Sequence, residues 1–282
     1  MVDYRNSAIA IIVCHIGEMP WYFSYFLHSC KFNQSIDFLI LTDETSLPKY
    51  IPKNVQILQT SLAEINELAT QKMGYDINIK NGYKLCDFKP TYGVVFSDLL
   101  KNYDFWGFGD IDVFYGNIRE FITEDLLANY DLISVRPDWI PGCFVLFKNS
   151  EKMNKLFTHS KDYIKVLTSD THYCFDETNF AHDAFTEGLN YKDINTEIES
   201  MMHVIKRLEE SSYIKVYYDL FIIEGILGKL KWIDGKLTYR NKYEVLLYHL
   251  IHFKKRYSPK KIPSAIPDIF TISKNAIYHK HN

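Results

Sequence analysis

Continuous apolar runs alternate with amphipathic stretches through the first 150 residues, and that alternation predicts the architecture. Residues 8–14 are apolar and β-branched without interruption, the pattern of a strand buried on both faces. Gly17 and Pro20 break it, and residues 21–30 then carry an apolar stripe of Tyr22, Phe23, Phe26 and Leu27 at helical spacing. A second buried strand over 36–41 stops at Thr42-Asp43-Glu44. Strand, helix and strand in so short a span form a parallel α/β unit. Further on, the pattern predicts a strand at 55–58 and a helix at 62–72. A short helix or turn at 84–90 should break at Pro90, before a helix over 92–100 that turns Tyr92, Val95, Phe96 and Leu99 to the sheet. An apolar, partly aromatic strand follows at 103–109, then a helix at 118–127 and strands at 131–135 and 143–147.

The second half reads less regularly. A helix is predicted from about 151 to 167 and another over 179–185, opened by Asp176-Glu177. Residues 192–207 are largely polar and read as an insertion, and 217–227 are apolar. Residues 230–233 and 236–239 flank Asp234-Gly235, a strong hairpin signal. The whole pattern predicts an α/β fold whose mixed, mainly parallel central sheet is flanked by helices.

At 282 residues, with 47% apolar and 16% aromatic positions, one large domain can bury a substantial core. The net charge of -3 argues against a general nucleic-acid binder, although Lys254, Lys255, Arg256, Lys260 and Lys261 crowd together near the end. The five cysteines are widely spaced, with no Cys-x-x-Cys pair, so buried free thiols in a reducing compartment are expected. The apolar run at 8–14 is too short for a signal peptide and follows the acidic Asp3, and no stretch approaches the ~20 apolar residues of a membrane span. A cytoplasmic protein is the expectation.

The chemistry gathers at the end of the 103–109 strand, in Gly109-Asp110-Ile111-Asp112. Alternate side chains of a strand share a face, so both carboxylates could reach one centre and hold a divalent cation with positions left for phosphate oxygens. A turn cap is the plainer reading of either aspartate. Ligands of open parallel sheets bind beyond the carboxyl ends of the strands, which puts His15, Gly17 and Asp43 near a pocket. Asp43 could accept hydrogen bonds from a base or ribose, or cap the next segment. No Gly-x-Gly-x-x-Gly follows the first strand and no phosphate-loop motif occurs, so bound phosphates would need a metal or lysines. Lys84, Asp87 and Lys89 form either a solvated face or a functional group, in which Lys84 or Lys89 neutralises a diphosphate and Asp87 orients a sugar or a lysine. Gly142 either lets a ligand approach the backbone or serves its own turn. Phe105, Trp106 and Tyr115 are core residues or platforms for sugar faces.

Four blocks together carry a resemblance: residues 17–23 with 29–33 and Thr42-Asp43, residues 84–90, residues 103–116, and residues 141–149. In that order they resemble nucleotide-sugar-dependent glycosyltransferases of the GT-A type, closest to an uncharacterised bacterial family of polysaccharide or lipopolysaccharide glycosyltransferases. The resemblance covers roughly the first 150 residues and implies a single GT-A-like domain over 1–258, with a nucleotide-sugar half (1–150), an acceptor-side half (151–258) and a basic tail (259–282). It implies Mn²⁺ or Mg²⁺ at Asp110 and Asp112, with Asp110 also near the ribose and Asp43 near the base. The segment at Gly142 would line the donor-sugar or acceptor cleft, and Cys143 departs from the bulkier or polar residue expected there. An acidic residue, Asp176 or Glu177, would serve as base or would bind the acceptor or donor sugar, whereas the plainer reading of either is a helix cap or a solvent-facing group. A late histidine would complete the metal's sphere: His252 fits best, being followed by Phe253-Lys254-Lys255, with His249 the runner-up. Lys254 or Lys255, helped by Lys84, would hold the leaving diphosphate.

The implied partners are a nucleoside diphosphate sugar as donor and a glycan or lipid-linked glycan as acceptor. The basic tail, ending in His279 and His281, could lie on anionic lipid at the inner face of the membrane or be ordinary surface. Two rivals remain at this point. A metal-dependent phosphohydrolase or nucleotidyltransferase also uses paired aspartates, and a non-catalytic nucleotide- or glycan-binding protein could share the fold.

Overall fold

The computed structural model describes residues 6–279. Asp3, His281 and the last residues of the expected tail lie outside that range. Seven strands form the central sheet: β1 (Ile9–His15), β2 (Ile36–Thr42), β3 (Val55–Gln59), β4 (Phe105–Gly109), β6 (Leu132–Ser134), β7 (Phe144–Lys148) and β8 (Val216–Tyr218). Their order is β3-β2-β1-β4-β7-β6-β8, and β7 runs antiparallel to both of its neighbours. The mixed, mainly parallel sheet flanked by helices is therefore the class the hydrophobic pattern predicted.

Alternation along β1 explains the layers. Ile9, Ile11 and Val13 enter one core with the helix Phe23–Lys31, while Ala10 and Ile12 enter the other with the helices Leu62–Met73 and Met201–Glu210. The helix Leu62–Met73 begins at a capping box, in which Ser61 and Glu64 satisfy each other's backbone N–H groups. Over the first core lie two smaller sheets. One joins β5 (Val113–Tyr115), β13 (Leu247–His249) and β9 (Ile222–Ile223). The other joins β12 (Tyr243–Glu244), β11 (Lys236–Tyr239), β10 (Leu230–Ile233), β14 (Ile269–Ile272) and β15 (Ile277–His279). The hairpin predicted about Asp234-Gly235 connects β10 and β11, with both turn residues at positive φ.

Several expectations need correcting. The break at Pro90 is absent: a 3₁₀ run over Gly82–Thr91 leads straight into the short helix Tyr92–Val95, and Leu99 is exposed. The helix expected over 118–127 is two pieces, because Thr123 caps a new helix at Glu124–Asn129. The one expected from 151 to 167 is three, broken near Lys155 and Ser160. The helix expected at 179–185 begins at His182, because Asn179 and Phe180 both take positive φ. Residues 192–207 are not a polar insertion, since Met201, Met202, Val204 and Ile205 pack into the second core. Position 258 is no boundary of packing either. β14 pairs with β10, and the Tyr25 hydroxyl meets His279 Nε2 at 2.6 Å, so the stretch read as a tail is woven into the body. No helix among the described residues is long and apolar enough to cross a membrane.

Candidate functional site

β4 and β5 are consecutive in the chain but belong to different sheets, and the turn between them carries Asp110 and Asp112 to the carboxyl end of the central sheet. β13 then brings a histidine to the pair by register. His249 lies opposite Val113, and Leu250 N donates to the Asp112 carbonyl at 2.9 Å. On the other side of β13, Ile223 of β9 lies opposite Tyr248, so Glu224 falls beside His249. The outcome is a chain of contacts. His249 Nε2 lies 3.3 Å from Asp112 Oδ2, and its Nδ1 lies 2.5 Å from Glu224 Oε1. Arg136 Nη1 donates to the other Glu224 oxygen at 2.9 Å.

Asp112 also accepts from Lys254 Nζ at 2.5 Å, while Asp110 accepts from Lys89 Nζ at 2.6 Å. Burial pushes the Asp112 carboxyl up, but His249 and Lys254 outweigh it and hold the group well below the usual carboxylate range. For Asp110 burial prevails over Lys89, and Asp112 adds to it, so the carboxyl is raised. Burial lowers the His249 imidazole, yet Cys143, Asp112 and Glu224 together carry it well above its ordinary value.

Asp176 and Glu177 form the facing wall. Asp87 positions them: its Oδ2 accepts from Tyr173 N and its Oδ1 from Phe175 N, both at 2.8 Å. Lys84 Nζ completes that support, donating to Asp87 Oδ2, to the Val166 carbonyl and to the Thr171 carbonyl at 2.6–2.8 Å. Glu177 Oε1 accepts from Gly142 N at 2.5 Å, and its Oε2 lies 2.9 Å from His182 Nε2. A Cβ on Gly142 would stand 2.7 Å from Asp176 Oδ2 and 3.1 Å from Glu177 Oε1, so only glycine lets the wall close this tightly. Burial drives the Asp176 carboxyl well up against the pull of Lys89. The same burial acts on Glu177, but His182 and the Gly142 N–H hold that carboxyl below its ordinary value.

Between the walls lies a cleft of about 780 Å³. Of the candidate site residues singled out from the sequence, His15, Lys89, Asp110, Asp112, Gly142, Asp176, Glu177, His249, His252 and Lys254 line it. Asp43 stands outside at the end of β2, where its Oδ1 accepts from Gly17 N at 2.7 Å and ties down the loop after β1. Lys255 is exposed and does not line the cleft. Lys84 and Asp87 are buried outright, and with all three ammonium hydrogens spent on internal acceptors Lys84 has none for a diphosphate. Lys89, five residues on, is the one of this pair that reaches the cleft, donating to Asp110 and to the Gly142 carbonyl. The choice between the histidines also reverses. His252 sits exposed on the rim, and His249 is the one beside the aspartates. Phe105, Trp106 and Tyr115 are core residues with at most 3% exposure and offer no platform to a sugar. Glu224, Arg136 and His182 escaped the sequence reading, because only strand register and loop packing bring them in.

A divalent cation fits what is there. One ligand atom each from Asp110, Asp112 and His249 lies within 4.8 Å of the others, an oxygen-rich set with one imidazole that suits Mn²⁺ or Mg²⁺. The cleft lining holds five carboxylates (Asp110, Asp112, Asp176, Glu177 and Glu224) and two lysines.

Residues 11–281 match a family described as Family of unknown function (DUF6625). No curated protein matches the chain. Among solved structures, one described as an active-site mutant of LgtC is 13% identical over 74% of this chain and 72% of that one, with a TM-score of 0.35. Another, the galactosyltransferase LgtC in complex with donor and acceptor sugar analogues, shares 13% identity over the same fractions, 74% and 72%, with a TM-score of 0.32.

Proposed function

The chain belongs to a family of unknown function, DUF6625, and from within it we propose a metal-dependent glycosyltransferase that moves a sugar from a nucleoside diphosphate sugar to a hydroxyl of a bacterial surface glycan. The observation that carries the proposal is the meeting of Asp110, Asp112 and His249 at one wall of a cleft whose opposite wall is Asp176 and Glu177. A site for an anionic leaving group and a site for proton transfer thus line one cleft, with Lys89 between Asp110 and Asp176.

Asp110, Asp112 and His249 would hold Mn²⁺ or Mg²⁺, with Glu224 fixing the imidazole so that Nε2 points inward. When bound, the ion supplies positive charge that offsets the charge developing on the departing diphosphate. Lys254, already at Asp112, is placed to add its own charge to those phosphates. Lys89 balances Asp110 and keeps the two acidic walls from repelling each other, since its Nζ also lies 3.6 Å from Asp176. Glu177, held in its charged form, is the better base for the acceptor hydroxyl, and Asp176, biased toward its neutral form, is a hydrogen-bond donor to the sugar. During transfer the bond from the anomeric carbon to the phosphate oxygen breaks, a bond to the acceptor oxygen forms, and the hydroxyl proton passes to Glu177.

The test is a panel of nucleotide sugars with Mn²⁺, read by release of nucleoside diphosphate and of free or transferred sugar. Release from one donor, stopped by a chelator, is the expected result. Release of inorganic phosphate or pyrophosphate in place of sugar would move the protein to the phosphohydrolase or nucleotidyltransferase class. Metal-dependent binding without any turnover would make it a binding protein.

A further inference from the structure

Cys174, Glu177 and His182 converge at the edge of the same cleft, and transfer chemistry has no use for a thiol there. Cys174 Sγ lies 3.3 Å from Glu177 Oε2 and 3.9 Å from His182 Nε2, and the two partners lie 2.9 Å apart. A tetrahedral Zn²⁺ with sulfur, nitrogen and oxygen ligands at ordinary bond lengths separates its ligand atoms by roughly 3.3–3.6 Å. The triangle already present differs from that by a few tenths of an ångström on each edge. We propose that Cys174, Glu177 and His182 form a second cation site, selective for Zn²⁺ and similar thiophilic ions and distinct from the oxygen-rich site at Asp110 and Asp112.

Three features of the surroundings support it. Glu177 Oε1 is held by Gly142 N, which turns Oε2 toward the thiol and the imidazole and fixes its direction. The ring of Trp139 packs edge-on against His182 at 4.6 Å, orienting the imidazole. All three ligands line the cleft, so a fourth position opens to water or to a bound substrate. Chemically, the thiol S–H bond breaks, its proton passes to water, and the sulfur electron pair forms the bond to the ion. His182 gives its Nε2 lone pair in the tautomer protonated at Nδ1. No oxidation or reduction takes place.

This deepens the proposed function without depending on it. Glu177 is the base of the proposed transfer, so Zn²⁺ at this site takes Oε2 out of use and stops transfer while Mn²⁺ stays in place.

The deciding measurement needs no nucleotide sugar. The full chain, freed of metal, is titrated with Co²⁺ and followed by near-ultraviolet absorption, where a thiolate–Co²⁺ charge-transfer band reports sulfur ligation. The band should appear in the native chain, vanish in Cys174→Ser, and persist in Cys143→Ser and Asp112→Asn. Zn²⁺ should displace Co²⁺ and erase it. The proposal is overturned by a native chain with no band, by a band that survives Cys174→Ser, or by one that vanishes in Cys143→Ser, whose thiol neighbours His249. In case Cys174→Ser does not fold, His182→Gln keeps the thiol and should bind Zn²⁺ more than about tenfold more weakly. An unchanged Zn²⁺ affinity in folded His182→Gln also overturns it. Because none of these readouts involves turnover, a failed transfer assay and a failed metal assay are separate results.

Discussion

Asp112 and Glu177 are both recessed carboxylates beside a histidine in a single cleft, yet their other partners suit them to different chemistry. Asp112 faces Asp110 and accepts from Lys254, and its histidine is locked from behind by Glu224. Glu177 faces a thiol and a backbone N–H, and its histidine is braced by an aromatic ring. Oxygen-rich surroundings with a neighbouring lysine suit a hard cation and the phosphates it carries, whereas the mixed sulfur and nitrogen set suits a softer one. An aspartate and a glutamate beside a histidine thus say little on their own. The third and fourth neighbours set the role.

The largest expected effect separates the walls at once. Asp112→Asn keeps the shape and removes the charge, and Mn²⁺-dependent release of nucleoside diphosphate should fall by about a thousandfold. A variant that keeps near-native release would mean the acidic pair holds no catalytic ion. On the opposite wall, Lys84→Met leaves Asp87 buried without its cation, which should lower stability by about 3–5 kcal/mol in urea unfolding. A loss under about 1 kcal/mol would show that the backbone N–H groups of Tyr173 and Phe175, with His172 beside them, satisfy Asp87 without the lysine.

The two walls also differ in how far local sequence reveals them. β1, β4 and β7 announce themselves as nearly unbroken apolar runs, and β2 is interrupted only by Asp37, because a strand covered on both faces has no reason to alternate. β3, at the sheet edge with Gln56 and Gln59 exposed, is marked less clearly. Asp110 and Asp112 follow from the end of such a run, so the hard-cation wall was half visible. Its other half was not. His249 and His252 stand three residues apart in one mixed segment, and only the pairing of β13 with β5, across more than a hundred residues of chain, brings the first of them to Asp112. Lys84 and Lys89 were equally ambiguous. In the 3₁₀ run that holds both, five residues are nearly two turns, and the fold points one ammonium at Asp87 and the other at Asp110. Asp176-Glu177 was visible as a pair of acids, but the positive φ of Cys174 and Asn179 that frames their loop leaves no mark in hydrophobic periodicity.

Register is therefore the next thing to test. His249→Ala removes the imidazole that β13 delivers, and Mn²⁺ affinity should fall by about a hundredfold, measured by calorimetry so that binding is read apart from turnover. Retained affinity would place the third ligand elsewhere. Gly142→Ala is the counterpart on the facing wall. Its new Cβ would press on Asp176 and Glu177, so transfer should drop by as much as about a hundredfold while Mn²⁺ affinity stays within about threefold. Should both fall together, the walls are one mechanical unit and the division of labour between them is wrong.

The smallest effect belongs to His252, and it is the most discriminating because a sequence-based argument favours this residue. It is followed at once by Phe253-Lys254-Lys255, and a histidine just ahead of two lysines looks like the natural companion of a diphosphate. Phe253 is buried, however, and begins the one-turn helix Phe253–Arg256 that aims Lys254 at Asp112, with His252 left outside at its start. The imidazole there lies on the cleft rim beside Gly225, exposed to water. Exposure of that kind makes a side chain cheap to lose. His252→Ala should leave Mn²⁺ affinity and diphosphate release within about threefold of native, and His249→Ala measured alongside it should not. Equal losses in the two variants would mean that the segment from β13 to the helix can shift by a turn, handing the ion from one imidazole to the other, and the register that sets the hard-cation wall apart would no longer be what defines it.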